Sequence, residues 1–283
     1  MLLLLSSLLF AQESGYANLG DAKIYYEQKG EGTLIIFLHG GYCDTRAWDY
    51  QFDEFAKNYH VIRFDLRGFG KSSVPDTTKP YQFVDDLVAL MDYLNIEKAV
   101  IVGHSMGGVP AFKLAYNYPE KVLALVLLES GPYHKGMFAN EDAKVLAQVG
   151  KVDEIGKKEG AEAAKKAFLN INLLKPALKN PLSKKILTDM TMDYSGWNWV
   201  NKVTWQPGPV RDLNEYSQMN VPTLICLGEL SLPFYHRTMY EINQALPNSK
   251  LVEISHSGHM IQLENPKEFN KVLKNFLKKQ GIK

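Results

Sequence analysis

The sequence predicts an α/β protein with a mostly parallel central sheet flanked by helices. Three observations carry this expectation. Short continuous apolar runs recur along the 283 residues, without the alternation of a half-solvated strand, as in parallel strands buried on both faces. Segments of helical period lie between them. Most runs end at their C-terminal side in glycine or a charged turn residue. Alternation of strand and helix implies a parallel sheet joined by right-handed crossovers.

Taken in order, residues 22–29 read as an edge strand rich in aromatics, and Gly30-Glu31-Gly32 as the turn after it. The apolar run 33–38 ends in His39-Gly40-Gly41, the run 60–65 leads to Arg67-Gly68-Phe69-Gly70, and the run 99–102 ends in Gly103-His104-Ser105. Residues 124–128 end at Glu129, residues 223–227 at Gly228-Glu229, and residues 250–254 form the last run. A helix over 83–94 places Phe83, Leu87, Leu90 and Leu94 on one stripe. A second helix, over 107–118, is closed by Pro119, and the last covers 266–279. Residues 136–215 contain no strand-like run and read as a helical cap over the carboxyl ends of the strands, where ligands bind in such sheets. Within the cap, residues 151–167 are rich in Lys, Glu and Ala and read as one solvated helix. Trp197, Trp199 and Trp205, near Pro207, Gly208 and Pro209, are either cap core or pocket lining.

Composition sets limits. Lys plus Arg number 32 and Asp plus Glu 31, a net charge of +1, which argues against a nucleic-acid surface. With 46% apolar and 22% charged residues, the chain is neither disordered nor collagenous. It is long enough to bury a core without disulfides. Cys43 and Cys226 are too few for a disulfide scaffold or a cysteine zinc site. Cys226, inside an apolar run, packs as a small hydrophobe. No nucleotide fingerprint, metal cluster or flavin motif is present, so no cofactor is implied.

Leu2 to Phe10 is apolar apart from Ser6 and Ser7. The run is too short to span a bilayer and resembles the apolar region of a secretory signal peptide, with cleavage near Ala11. Residues 1–20 are therefore expected to be a leader and 21–283 one domain that includes the cap. The expected location is secreted or periplasmic. The alternative is a cytoplasmic protein with an apolar N-terminal tail. No later segment reads as a transmembrane helix.

The strongest motif is Gly103-His104-Ser105-Met106-Gly107-Gly108, a G-x-S-x-G pattern placed after a predicted strand and before a predicted helix. A serine on so tight a turn has unfavourable backbone angles, and the flanking glycines remove side chains that would clash. The helix N-terminus puts amide N–H groups beside a developing oxyanion.

With His39-Gly40-Gly41, the stretch Asp65 to Ser72, this elbow, Val221-Pro222-Thr223-Leu224, and Gly258-His259 followed by Glu264-Asn265-Pro266, the chain resembles the α/β-hydrolase-fold enzymes of esterase and lactonase type. The resemblance runs from about residue 22 to the C-terminus and implies that fold, with its helical cap inserted after the sixth strand. It implies Ser105 as nucleophile and His259 as general base. A serine needs such a base within hydrogen-bond reach. His256, three residues earlier, is the competitor, and with Glu253 or Glu264 it offers a weak hint of a metal site. His39 and His104 read as loop supports; His60, His134 and His236 read as surface or pocket residues. The oxyanion hole is expected from the amides of Met106 and Gly41, with Tyr42 as the alternative to Gly41.

The acid is where the chain departs from the family. The family pattern Gly-Glu-x-Asp is here Gly228-Glu229-Leu230-Ser231, so a hydroxyl stands where the aspartate is expected. Glu129, at the end of the 124–128 run, is the expected replacement, as in some dehalogenase and lipase relatives; Glu229 is the other candidate. An acid-free dyad is the third possibility. The acid has to hold the imidazole in one tautomer and stabilise the imidazolium.

The expected function is a serine hydrolase acting on a small-molecule carboxylic ester or lactone with an apolar acyl or aryl group. A hydrolase-fold ligand receptor with little turnover is the alternative from another class, prompted by Ser231. Carbon–carbon bond hydrolysis and perhydrolysis are further chemistries on the same triad. A serine at position 105 argues against dehalogenase or epoxide hydrolase chemistry, which needs a carboxylate nucleophile.

Overall fold

Eight strands form one sheet in the order β1-β2-β4-β3-β5-β6-β7-β8 in a computed structural model that describes residues 12–283. They are β1 (Glu13–Asn18), β2 (Lys23–Lys29), β3 (Leu34–Leu38), β4 (His60–Phe64), β5 (Ala99–His104), β6 (Val122–Leu128), β7 (Thr223–Gly228) and β8 (Ser249–Ile254). The helices are α1 (Asp49–Phe55), α2 (Phe83–Tyr93), α3 (Gly108–Asn117), α4 (Ala147–Glu159), α5 (Ala161–Phe168), α6 (Lys175–Lys179), α7 (Pro181–Asp193), α8 (Trp197–Val200), α9 (Pro233–Ala245), α10 (Ile261–Glu264) and α11 (Pro266–Lys279). The apolar N-terminal run and the cleavage expected near Ala11 lie outside the described residues.

From β3 through β8 every pairing is parallel, as the unalternated runs predict; β2 joins β1 and β4 antiparallel. All six residues of β5 are buried, which is the burial that a central strand with helices on both faces requires. Phe37 of β3 packs on Trp48 at 4.9 Å between ring centroids, and Trp48 on Phe269 of α11 at 6.4 Å. Each such fully buried side chain contributes roughly 1.5–3 kcal/mol.

Three expectations need correction. The sheet starts before residue 21: Glu13–Asn18 pairs along β2 from Glu13↔Gln28 to Asn18↔Lys23, so β1 is the edge and β2 is not. The alternation of β1 is weak because only Ala17 is buried, which left it illegible. The single helix expected over 151–167 is two, broken at Gly160, whose φ of +90° no helix accommodates. Between β6 and β7 the chain is helical throughout among the assigned elements, and this insertion follows the sixth strand as expected.

Candidate active site

Four loops at the carboxyl ends of the parallel strands converge. The loop after β5 carries Ser105 at φ +48°, the left-handed conformation of a strained elbow. The neighbouring glycines are demanded by space. A Cβ on Gly103 would lie 2.5 Å from the Gly108 Cα, and one on Gly107 would lie 2.4 Å from the His39 carbonyl oxygen. The elbow is therefore pressed against the loop after β3.

His259 Nε2 lies 2.9 Å from Ser105 Oγ, the contact a nucleophile and its base require. Its loop is held from three sides. Glu264 accepts from the Gly258 and Met260 amides, at 2.8 Å each, so one carboxylate brackets the residue between them. His104 Nε2–H donates to the His259 carbonyl at 2.8 Å. The Tyr235 ring lies against the imidazole with centroids 4.7 Å apart. Burial alone pushes His259 down to about 3, which keeps the resting imidazole neutral.

Behind His259 stands Glu129, buried, at φ +51°. Its Oε1 accepts from the Gly228 amide and from the Ser231 hydroxyl, both at 2.7 Å. Its Oε2 faces His259 Nδ1 at 3.6 Å, and neither of these two atoms has a hydrogen-bond partner. Burial raises the carboxyl to about 8, against the two donors, which lower it. Ser231, at the position where the family places its aspartate, thus donates to the carboxylate expected to stand in for that aspartate. Glu229 is not brought to His259: its Oε2 accepts from the His256 amide at 2.7 Å, and the His256 side chain is exposed. Nor do His256, Glu253 and Glu264 gather around a cation; among the described residues no group of three or more His, Cys, Asp or Glu is placed to hold a metal. Next to Glu129, the Ser130 hydroxyl donates to the Ser105 carbonyl, tying the two loops together.

On the oxyanion side, a Cβ at Gly40 would lie 2.7 Å from His104 Nδ1 and 3.2 Å from the Ser105 Cβ, whereas one at Gly41 would make only ordinary contact with the Met106 side chain. Close approach therefore demands glycine at 40, not at 41. Among the described residues no hydrogen bond within the chain takes the Gly41, Tyr42 or Met106 N–H, so each of the expected donors is free. His39 and His104 are loop supports as expected: His39 Nε2 accepts from the Leu66 amide at 2.9 Å. His134 is neither surface nor pocket; it is buried, with Nδ1 3.1 Å from the Lys135 carbonyl.

Above Ser105 opens a cavity of about 360 Å³ between sheet and cap, walled by Val109, Phe138, Phe168, Leu174, Phe234 and Met239 among others. Among the described residues no lysine or arginine lines it. Of the three cap tryptophans, Trp205 lines the cavity, Trp199 is fully buried cap core, and Trp197 does neither. Sequence reasoning missed Glu264 as the bracket of His259 and Ser231 as the partner of Glu129. The pairing of Glu264 with Gly258 had a signal, since both sit in the motif quoted for His259.

A family described as alpha/beta hydrolase fold matches residues 33–266. A 2-hydroxy-6-oxononadienedioate/2-hydroxy-6-oxononatrienedioate hydrolase of Comamonas testosteroni is 27% identical, covering 96% of each chain. Human epoxide hydrolase 4 is 26% identical over 95% of this chain and 80% of its own. A thermophilic esterase from Thermogutta terrifontis superposes with a TM-score of 0.78, covering 95% of this chain and 99% of its own at 22% identity, a likeness of fold. With the serine elbow, the sheet order and a match that spans most of its length, the chain belongs to the α/β hydrolase family.

Proposed function

We propose that the protein is a serine hydrolase that cleaves a carboxylic ester or lactone whose acyl or aryl group is neutral and apolar. The observation that carries this reading is the 2.9 Å contact between Ser105 Oγ and His259 Nε2 on a strained elbow, with a buried carboxylate behind the imidazole. Ser105 attacks the carbonyl while His259 takes its proton. Glu129 accepts the Nδ1–H and steadies the imidazolium that forms. The oxyanion rests on the Met106 and Gly41 amides. His259 returns the proton to the leaving alcohol, then activates the water that frees the acid from the acyl-enzyme.

The cavity supports the substrate class. A dicarboxylate like that named for the Comamonas relative would lie there without a cation, and an uncompensated buried charge is costly. Neutral aryl and acyl groups meet no such cost. Epoxide chemistry is disfavoured because position 105 is a serine rather than a carboxylate.

The test is turnover of p-nitrophenyl esters, lactones and carbon–carbon cleavage substrates by the wild type and Ser105→Ala, with organophosphonate labelling of Ser105. Neutral esters or lactones should turn over, and the variant should lose that activity by on the order of 10⁶-fold while staying folded. Turnover that survives Ser105→Ala overturns the reading. A wild type that neither hydrolyses the panel nor takes the label overturns the reading and favours the receptor alternative.

A further inference from the structure

We propose that Tyr42 is a positioning residue through which the cap holds the oxyanion loop in its working conformation. The inference rests on the serine-hydrolase reading and gives the cap a task beyond shaping the cavity. Tyr42 follows Gly41 and adopts φ +59°, a conformation that a bulky side chain disfavours. Its side chain is what holds it there. The ring sits in an aromatic cluster, with centroid distances of 4.6 Å to Trp199, 5.0 Å to Phe168, 5.9 Å to Tyr194 and 6.1 Å to Phe69. The hydroxyl donates to Asp153 Oδ1 at 3.1 Å.

Four of these five partners belong to the cap: Asp153 on α4, Phe168 on α5, Tyr194 at the end of α7 and Trp199 on α8. Only Phe69 comes from the sheet side. The cap is closed tightly around the same point, since a Cβ on Gly156 of α4 would lie 2.6 Å from the Trp199 Cβ. Nothing comparable grips Gly41 itself, whose N–H has no partner within the chain among the described residues. The place of that donor is thus set by a side chain anchored in helices more than a hundred residues away in sequence. An oxyanion donor stabilises charge only if it is held before the charge develops, and small displacements are expensive in rate.

The experiment uses the full chain and p-nitrophenyl acetate, whose small acyl group makes little use of the cap. Tyr42→Phe and Asp153→Leu should each lower kcat about five- to tenfold with KM within about twofold, and the double variant should be no slower than either single. Asp153→Asn keeps an oxygen that accepts from Tyr42 and should stay within about twofold of wild type. Organophosphonate labelling, which builds a tetrahedral oxyanion, should slow in step with kcat. Full kcat in Tyr42→Phe and Asp153→Leu, or fully additive losses, or losses confined to KM or to Tm, overturns the coupling. Failure of the serine reading looks different: there, turnover survives Ser105→Ala.

Discussion

The sheet with its loops and the cap obey different rules. In the sheet, the residues that matter are dictated by contact at van der Waals limits. Gly103, Gly107 and Gly40 face backbone atoms or the buried His104 ring at 2.4–2.7 Å from where a Cβ would stand, so the sequence has no freedom there. Among the described residues the cap is built from five short α-helices, α4 to α8, and three 3-10 turns, and it leaves Phe138, Leu182, Met192, Val200 and Val210 exposed. Its inner surface needs to be apolar and of roughly the right volume, a requirement many sequences meet. The lesson is that chemistry is written in the sheet loops and selectivity in the cap, with Tyr42 the point where they meet.

That division can be broken. The largest effect expected in the sheet loops, after loss of Ser105 itself, is from Glu129→Gln: kcat should fall by up to about 10⁴-fold, because the imidazole loses the charge that stabilises it. Glu229→Gln, which alters only the pair with His256, should cost less than about threefold. Steady-state kinetics on one ester decides between them, and a larger loss at Glu229 reverses the assignment.

A smaller effect reads out the electrostatics. Because burial raises Glu129 to about 8, the carboxyl is protonated below that pH and cannot take the Nδ1–H. Activity should therefore rise with pH along a limb that lies above 6.5, the ordinary imidazole value, and level off once Glu129 is ionised. His259, lowered to about 3, adds no limb above about pH 5. Removing the Ser231 hydroxyl takes away a donor to the ionised form, so Ser231→Ala should move the limb to higher pH and lower kcat at neutral pH about tenfold, the worth of one hydrogen bond. A kcat/KM profile with its limb near 6.5, or one unmoved in Ser231→Ala, counts against this account.

The smallest effect belongs to the cap. Trp205→Ala, which strips one wall of the cavity, should raise KM for aryl esters about fivefold and leave kcat for an acetate ester within about twofold. Trp197→Ala should change neither, since Trp197 is not among the lining residues. A kcat loss as large as that of Glu129→Gln in either variant would erase the distinction between the two regions.

The same distinction explains what was legible beforehand. The meeting of Ser105 and His259 was readable because the elbow and the loop after the last strand carry recognisable residue types at fixed places. Glu129 was readable as a carboxylate closing an apolar strand. Ser231 was visible only as a missing aspartate; that it donates to Glu129 depends on two loops 102 residues apart meeting in space. Tyr42 was legible only as the alternative oxyanion donor after two glycines; its anchoring was not, because its partners lie in helices that carry no motif. Trp199 and Trp205 look alike in sequence, and only packing separates buried core from cavity wall. Strand β1 escaped because an edge strand with one buried residue has almost no pattern to read.

The absence of lysine and arginine from the described residues of the cavity wall has a consequence for the end of the proposed catalytic cycle. In the proposed reaction, hydrolysis turns a neutral ligand into a carboxylate inside an apolar chamber. The chamber that welcomed the ester therefore rejects the acid, and departure is downhill. Product inhibition should be weak at neutral pH and should strengthen only when the medium is acidic enough to protonate the released acid. In that acidic range the same walls would favour the reverse traffic, acid and alcohol entering together.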